Sequence, residues 1–341
     1  MTLLVRDEVD ILESQIAFHL NAGVDFVVVT DHGSVDGTAE VLERFASLGV
    51  LHVIRESGRE YRQAEWVTRM ARQAASEFGA DWVINADADE FWWPRGRNLK
   101  EVLAAIPARY GQVQAVRRNF VARPGCGAVF ERMIARLSPS APINDPSSPY
   151  RSLSKVIRRG SPDVAVAVGR LAGSETGADR VLAGWFPVEV LHFPLRSFEQ
   201  FELEHRSRDE TLAPLRGGDD VRARHLLDGR RLRRLYETYC VDDTELQFGL
   251  EQGLLTIDTR LRDLLRAIVA EPARSHPLPQ PGSLDDAAYA GEASVALAAD
   301  TARALGRLGA LETRMSQLER SVPVGGIGRV GRRADPAGAS E

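Results

Sequence analysis

Two carboxylates, Asp87 and Asp89, lie two residues apart directly after a short apolar run, Trp82 to Ile84. Two nearby anions repel each other unless a cation lies between them or one of them binds a proton. Carboxylate oxygens are hard ligands that suit magnesium, manganese or calcium. The spacing therefore predicts a site for a divalent cation that can meet a phosphate. An ordinary solvated acidic turn is the alternative, because such tripeptides are common by chance.

The elements that must position this pair are predicted from the apolar pattern. The run Trp82 to Ile84 is too short for a lone helix and too apolar for a surface loop, so it predicts a buried strand. Three similar runs precede it, each followed by a segment of helical character: Leu3 to Val5, Phe26 to Thr30 and Leu51 to Ile54. This alternation predicts an α/β fold with a doubly wound, mostly parallel sheet.

The carboxyl ends of parallel strands share one rim, and ligands of such sheets bind there, at the point where the strand order reverses. The polar residues that directly follow the first two predicted strands are Arg6, Asp7, Glu8 and Asp31. We therefore expect them to lie on the same rim as Asp87 and Asp89, although they are far apart in the sequence.

Four segments match one protein family in their order and spacing: Val5 to Glu8, Asp10 to Glu13 with His19, Asp31 to Thr38, and Asp87 to Phe91. Through them, roughly residues 1–200 resemble the family 2 glycosyltransferases of the GT-A fold, in the branch whose members begin Lys/Arg-Asp-Glu. One departure is His32, where related sequences usually carry Asn or Asp.

The resemblance implies a nucleotide-sugar donor, a UDP- or GDP-sugar, bound together with Mn²⁺ or Mg²⁺. Asp31 would contact the base or ribose of the donor. Asp87 and Asp89 would hold the ribose and the metal that bridges the diphosphate. The residues after the first strand would line the same donor site, and they are Arg6, Asp7 and Glu8.

Two later residues extend this predicted site. Lys155 precedes an Ile-Arg strand, as a lysine does in similar sequences, and its point charge would meet the diphosphate. A solvated lysine at a strand edge is the alternative. His192 ends an apolar run, and a neutral imidazole is a suitable third metal ligand beside two carboxylates. A hydrogen-bonded core histidine is the alternative there.

The implied reaction moves a sugar to a glycan or another hydroxyl acceptor, with inversion. Such a transfer needs a base that takes the acceptor proton. The sequence does not single this base out, and the candidates are Glu90, Glu131 and Asp145. Carboxylates in such positions are more often surface or structural residues than bases. The segment Trp92-Trp93-Pro94 is predicted to form a stiff aromatic turn that either lines the sugar site or packs against the sheet.

Two other function classes fit parts of the pattern. A phosphotransferase or phosphatase of the haloacid-dehalogenase type also places Asp-x-Asp after a strand and would use Asp87 as nucleophile. Against it, that chemistry puts its motif near the start of the domain, and Glu90 and Phe91 follow the motif here instead of small hydroxylic residues. A non-catalytic, oligomerising scaffold on a degenerate transferase fold is the second alternative.

The composition limits the classes of binding partner that we expect. The net charge of -5 gives no basic footprint for nucleic acid. The chain has no run of about 20 apolar residues, so we expect no membrane span. Two cysteines in 341 residues, with no visible signal peptide, predict a cytoplasmic protein that is either free or peripheral to a membrane.

The chain is predicted to divide into five parts. A GT-A-like transferase domain covers residues 1–210, and a helical C-terminal extension covers 211–270. A proline-rich linker, 271–283, leads to a helix at 284–322, where about two heptads suggest a short coiled coil that binds a second copy or another partner. The tail, 323–341, is predicted to be disordered.

Overall fold

The computed structural model describes residues 1–57, 61–125, 127–138, 150, 154–166, 180–182, 186–212 and 229–279. The predicted C-terminal helix at 284–322, the predicted tail at 323–341 and the base candidate Asp145 lie outside the described residues. No helix in the described ranges is both long enough and apolar enough to cross a membrane.

Strands and helices alternate in the N-terminal part of the chain, as the apolar pattern predicts. The strands are β1 (Thr2–Val5), β2 (Val27–Asp31), β3 (Leu51–Arg55), β4 (Trp82–Ala86), β5 (Glu90–Pro94), β6 (Tyr110–Asn119), β7 (Ala135–Leu137), β8 (Ser154–Arg159), β9 (Arg180–Leu182), β10 (Val188–His192) and β11 (Leu255–Ile257). The helices are α1 (Leu12–Asn21), α2 (Thr38–Ser47), α3 (Gln63–Ser76), α4 (Leu99–Ala104), α5 (Val129–Arg132), α6 (Phe198–Leu212), α7 (Gly229–Tyr239), α8 (Asp243–Glu251) and α9 (Arg260–Ala270).

A mixed, mostly parallel sheet runs through the centre of the fold, with the strand order β3-β2-β1-β4-β8-β6-β10-β5 and with β9 beside β6. The strands β3, β2, β1 and β4 are mutually parallel, β6 is parallel to β10, and β8 and β5 are antiparallel to their neighbours. Helices flank the sheet, so the predicted α/β fold class is confirmed. The strand order reverses between β1 and β4, which is where a ligand is expected in such sheets.

The aromatic segment after the acidic motif differs from its prediction. Trp92 and Trp93 do not form a turn, because they belong to β5, which pairs antiparallel with β10 along its whole length. Both side chains are fully buried, and Phe18 of α1 stacks on Trp93 at 5.5 Å. The rings therefore pack in the core and do not line a sugar site. The pairing partner lies about a hundred residues away along the chain, so the local sequence does not show it.

The C-terminal part packs into the same body. The strand β11 pairs antiparallel with β7, and the buried face of α9, including Leu261 and Leu265, joins the main hydrophobic core. Farther on, the backbone N–H of His276 donates to the side chain of Asn21 in α1 at 2.8 Å. Contacts therefore cross the predicted domain boundaries at residues 210 and 270. These boundaries stay predictions.

A buried network of ion pairs ties this C-terminal part to the sheet. Glu189 of β10 accepts hydrogen bonds from Arg118 and, at 2.9 Å, from Arg95. Arg260 at the start of α9 joins Glu189 at 3.1 Å to Asp258 at 2.8 Å. Burial alone would raise the pKa of Glu189, but the arginines, led by Arg118, hold it well below its ordinary value. The network is therefore fully charged and positions α9.

Candidate functional site

The ends of β1 and β2 are joined through one serine. The Asp31 Oδ1 atom accepts hydrogen bonds from the backbone N–H of Ser34 at 3.1 Å and from its hydroxyl at 2.6 Å. The same hydroxyl oxygen accepts from the backbone N–H of Asp7 at 3.0 Å, and Asp7 Oδ1 accepts from the backbone N–H of Val35 at 2.6 Å. Asp7 has a φ of +54°, a conformation that aspartate tolerates better than most residues. These bonds hold the first two acidic segments together on one rim.

A second clamp reaches the β1 end from the segment after β10. The buried guanidinium of Arg196 donates to Glu8 and, at 2.9 Å, to Asp10. The side-chain amide of Gln200 in α6 donates to the backbone carbonyl of Asp7. Residues from the end of the sheet domain therefore fix the loop that follows its first strand.

Glu8 lies in an environment that favours its neutral form. Burial raises its pKa from 4.5 to about 8, even though Arg196 acts in the opposite direction. The charges of Asp89 and Asp10 raise the pKa further. The strands β1 and β4 are parallel neighbours, so the loops that follow them lie side by side at the switch point.

One face of the central sheet carries the chemistry-bearing residues of the later strands. Directly opposite residues of paired strands point to the same face, and so do residues two apart on one strand. His192 lies opposite Asn119 of β6 and Glu90 of β5, and Lys155 of β8 lies opposite Ala115 of β6. The residues on this shared face are Glu90, Arg117, Asn119, Lys155 and His192.

Lys155 and Arg117 neutralise two of the carboxylates. The Lys155 ammonium lies 2.8 Å from Asp87 Oδ2 and 2.9 Å from Glu90 Oε1, and the Arg117 guanidinium donates to Glu90 Oε1 at 3.1 Å. Lys155 is the main cause of the lowered pKa of Asp87. Glu90 is fully buried, and its Oε2 accepts from the backbone N–H of Asp87 at 3.2 Å. Glu90 is therefore better placed to act as a counter-ion for Lys155 and Arg117 than as the base that takes the acceptor proton.

Asp89 faces His192. Asp89 Oδ2 lies 3.4 Å from His192 Nε2, and the other ring nitrogen, Nδ1, lies 2.7 Å from the side-chain oxygen of Asn119. Burial would raise the pKa of Asp89, but His192, Arg196 and Arg117 hold it well below its ordinary value. Burial and the charge of Arg117 lower the pKa of His192, while the charges of Asp89 and Glu90 act in the opposite direction. The carboxylate of Asp89 and the imidazole of His192 therefore form one coupled pair.

The predicted metal ligands divide into two groups. In the described part of the chain, no three side chains of His, Cys, Asp or Glu converge closely enough to hold a metal ion by themselves. Asp87 is bound to Lys155, whereas Asp89 and His192 form a two-donor pair. Mg²⁺ is commonly held by one or two protein ligands together with substrate phosphates. The pair therefore fits an ion that arrives with a diphosphate, and the metal role of all three residues stays a prediction.

The remaining predicted residues lie in different places. The Arg6 Nε atom lies 3.9 Å from Asp7 Oδ2 on the same rim. Glu131 lies on α5, where its carboxylate accepts from Arg266 of α9 at 2.7 Å. This ion pair belongs to the contact between two helices, so Glu131 is not among the rim residues that contact one another.

The sequence alone assigned no role to several residues that complete the site: Asp10, Ser34, Arg117, Asn119, Arg196 and Gln200. Arg117 and Asn119 sit at i and i+2 in a strand whose side chains are otherwise largely buried. Polar residues at that spacing in a buried strand are a usable signal, since a buried charge needs a partner. For Arg196 only the later pairing with Glu8 reveals the role.

Comparisons with known proteins give matches to solved structures alone. No protein-family model matches the chain, and no curated protein matches it. S. aureus TarS, residues 1–349, matches with 15% identity and a TM-score of 0.33, over 62% of this chain and 64% of that one. The same protein in complex with UDP-GlcNAc matches with 14% identity and a TM-score of 0.32, over 62% and 65%. The chain thus spans less than two thirds of the structures it resembles.

Proposed function

We propose that this protein is a metal-dependent glycosyltransferase that moves a sugar, with inversion, from a nucleotide-sugar donor to a glycan or another hydroxyl acceptor. The observation that supports this most is that acidic and basic side chains from the ends of β1, β2 and β4 and from β5, β6, β8 and β10 lie along one rim of the sheet. Adjacent strands lie about 4.8 Å apart, so the ends of β2 and β4, with β1 between them, are about 10 Å apart. A nucleoside diphosphate can span that distance.

The β2 end suits the nucleoside. Asp31 is buried, and Ser34 engages its Oδ1 atom only. Within the described ranges, Oδ2 has no hydrogen-bond partner, and a carboxylate oxygen of this kind can accept from a ribose hydroxyl or a base N–H. The aromatic group of His32, Tyr61 and Trp66 lies next to it, with His32 and Trp66 ring centroids 4.8 Å apart. His32 and Trp66 are buried, so Tyr61 is the exposed ring of this group that could stack on a base.

The β4, β6 and β8 residues suit the leaving group. When the sugar departs, negative charge grows on the diphosphate, and positive groups fixed in place stabilise it. Lys155 and Arg117 carry such charges on the face of the sheet that holds Glu90, and Lys155 also contacts Asp87 in the loop after β4. A divalent cation held by Asp89 and His192 would add Lewis-acid stabilisation of the same charge. The carboxylates keep both cationic side chains oriented before the donor binds.

Donor hydrolysis tests this function without knowledge of the acceptor. The purified protein is incubated with Mn²⁺ and a panel of UDP- and GDP-sugars, and release of the nucleoside diphosphate is measured. We expect at least one donor to be hydrolysed slowly, and Asp89→Asn to lose this activity by about 10²-fold, because the charge on the leaving group is no longer stabilised. Glu131→Gln, which changes a carboxylate on the α5–α9 contact, serves as the control and should keep the activity.

Two outcomes would contradict the proposal. Wild-type protein that releases no more nucleoside diphosphate than the Asp89→Asn variant, with every donor tested, would argue against a transferase. A covalent phosphate on Asp87, detected by mass spectrometry after incubation with a phosphorylated substrate, would favour the phosphotransferase alternative.

A further inference from the structure

We propose that Asn119 is a positioning residue that holds the ring of His192 through its Nδ1–H group, so that the Nε2 atom points at Asp89. The inference rests on the proposed function for its consequence, which is that Asp89 and His192 form a ready pair of donors for the cation that accompanies the diphosphate. The ring orientation itself follows from hydrogen bonds of this chain alone.

The orientation of the Asn119 amide is set by the backbone of Tyr150. The Asn119 Nδ2 atom donates to the carbonyl oxygen of Tyr150 at 2.6 Å. Tyr150 is held in turn, because its hydroxyl accepts from the backbone N–H of Ala122 at 2.9 Å and donates to the carbonyl of Tyr239 at 2.7 Å. If the amide turned over, its oxygen would face the carbonyl oxygen of Tyr150. The amide oxygen of Asn119 is therefore the atom that faces His192.

That oxygen can only accept a hydrogen bond, so the ring nitrogen facing it must be the donor. His192 Nδ1 lies 2.7 Å from Asn119 Oδ1 and carries the ring proton. Nε2 is then the ring nitrogen that faces Asp89 Oδ2, at 3.4 Å. A proton or a metal cation between these two atoms is attracted by both of them. The three residues are buried or nearly so, which keeps most solvent away from this contact.

This arrangement matches a general feature of metal-binding histidines. They donate their second ring N–H to an oxygen that fixes the ring, and loss of that oxygen typically costs about 10–100-fold in metal affinity. Asn119 supplies the oxygen here. The pairing of β6 with β10 brings it into place, because Asn119 lies directly opposite His192.

The first readout is the tautomer in the absence of any ligand. ¹⁵N-labelled protein at neutral pH shows by long-range histidine NMR which ring nitrogen of His192 carries the proton, with His192→Gln used for assignment. We expect a proton on Nδ1 in wild type and in Asn119→Asp, which keeps an acceptor oxygen. Asn119→Leu should show the Nε2–H form or a mixture. A wild-type ring that carries no proton on Nδ1 would overturn the proposal, whether or not the leucine variant folds.

The second readout is Mn²⁺ affinity in the presence of UDP or GDP, measured by electron paramagnetic resonance. Asn119→Leu should weaken Mn²⁺ binding by about 10–100-fold, and Asn119→Asp should restore most of it. Gln114→Leu is the matched control, because Gln114 is a buried amide on the opposite face of the same strand. Equal affinity in all variants would show that Asn119 is only structural. If wild type binds no Mn²⁺ with either nucleotide, the proposed function fails, while the tautomer measurement still decides the role of Asn119.

Discussion

Lys155 illustrates how one side chain sets the charge of the candidate site. Its ammonium joins a half-exposed carboxylate, Asp87, to a fully buried one, Glu90. The two carboxylates raise the pKa of Lys155 against the opposing effect of burial, so the ammonium stays charged at all relevant pH values. Without it, Glu90 would keep only Arg117 as a counter-charge among the described ion pairs.

Replacing Lys155 by methionine is predicted to weaken both binding and folding. The affinity for a nucleoside diphosphate should fall about tenfold, because a positive charge facing the phosphates is lost. The midpoint of urea unfolding should also fall, by an amount equivalent to about 1–3 kcal/mol, because a buried carboxylate loses a hydrogen-bond partner. Lys100→Met, at an exposed lysine paired with Asp25, is the matched control and should change neither quantity. Normal nucleotide affinity in Lys155→Met would remove this residue from the donor site.

At the scale of the elements, the buried His19 ties α1 to the strand that follows the acidic motif. The ring donates from Nδ1 to the carbonyl of Gln15 at 2.7 Å and accepts at Nε2 from the backbone N–H of Trp92 at 3.0 Å. A charged ring would have to break the second bond, and burial lowers the pKa of His19 from 6.5 to about 3. The neutral ring is therefore a structural part of the α1–β5 contact.

His19 is predicted to make the fold less stable in acid. Between its unfolded pKa of 6.5 and its folded pKa of about 3, the unfolded chain binds a proton at His19 that the folded chain does not. Stability contributed by this residue is thus complete above pH 6.5 and falls with pH by about 1.4 kcal/mol per unit within that window. Urea unfolding of wild type and His19→Gln at pH 7, 6 and 5 measures it. The difference between the two proteins should shrink as the pH falls, and a constant difference would contradict the assignment.

The elements around the first four strands could be predicted from the sequence, because continuous β-branched runs such as Val27 to Val29 alternate with helical segments. The placement of the acidic residues on the rim could be predicted as well, because each of them comes directly after a strand. The second half of the site could not be predicted this way. Arg117 and Asn119 gain their roles from the pairing of β6 with β10, which joins segments about seventy residues apart. No local pattern records such a pairing.

Arg196 shows the same limit of local sequence from the opposite end of the domain. Its guanidinium binds Glu8 and Asp10, residues that are almost two hundred positions earlier in the chain. The acidic residues suggest that some cation is needed, but any of the many arginines could supply it. Only the folded chain selects Arg196, because the segment after β10 passes the end of β1.

At the scale of the whole molecule, the site is a meeting point of two halves of one sheet. The parallel half, β3-β2-β1-β4, brings Asp31, Asp7 and the acidic motif to one edge. The mixed half, β8-β6-β10-β5, adds Lys155 and His192 from one face. The account therefore requires a single ligand that is bound by residues of both halves at once.

Isothermal titration calorimetry of UDP and GDP, with and without Mn²⁺, tests that requirement most directly. We predict that Mn²⁺ raises the affinity of wild type for at least one nucleotide by tenfold or more, about 1.4 kcal/mol. Asp89→Asn should abolish this enhancement, and Asp31→Asn should weaken binding both with and without the metal. Glu131→Gln should behave as wild type. Nucleotide binding that is absent, or that neither Asp31→Asn nor Asp89→Asn changes, would contradict the account.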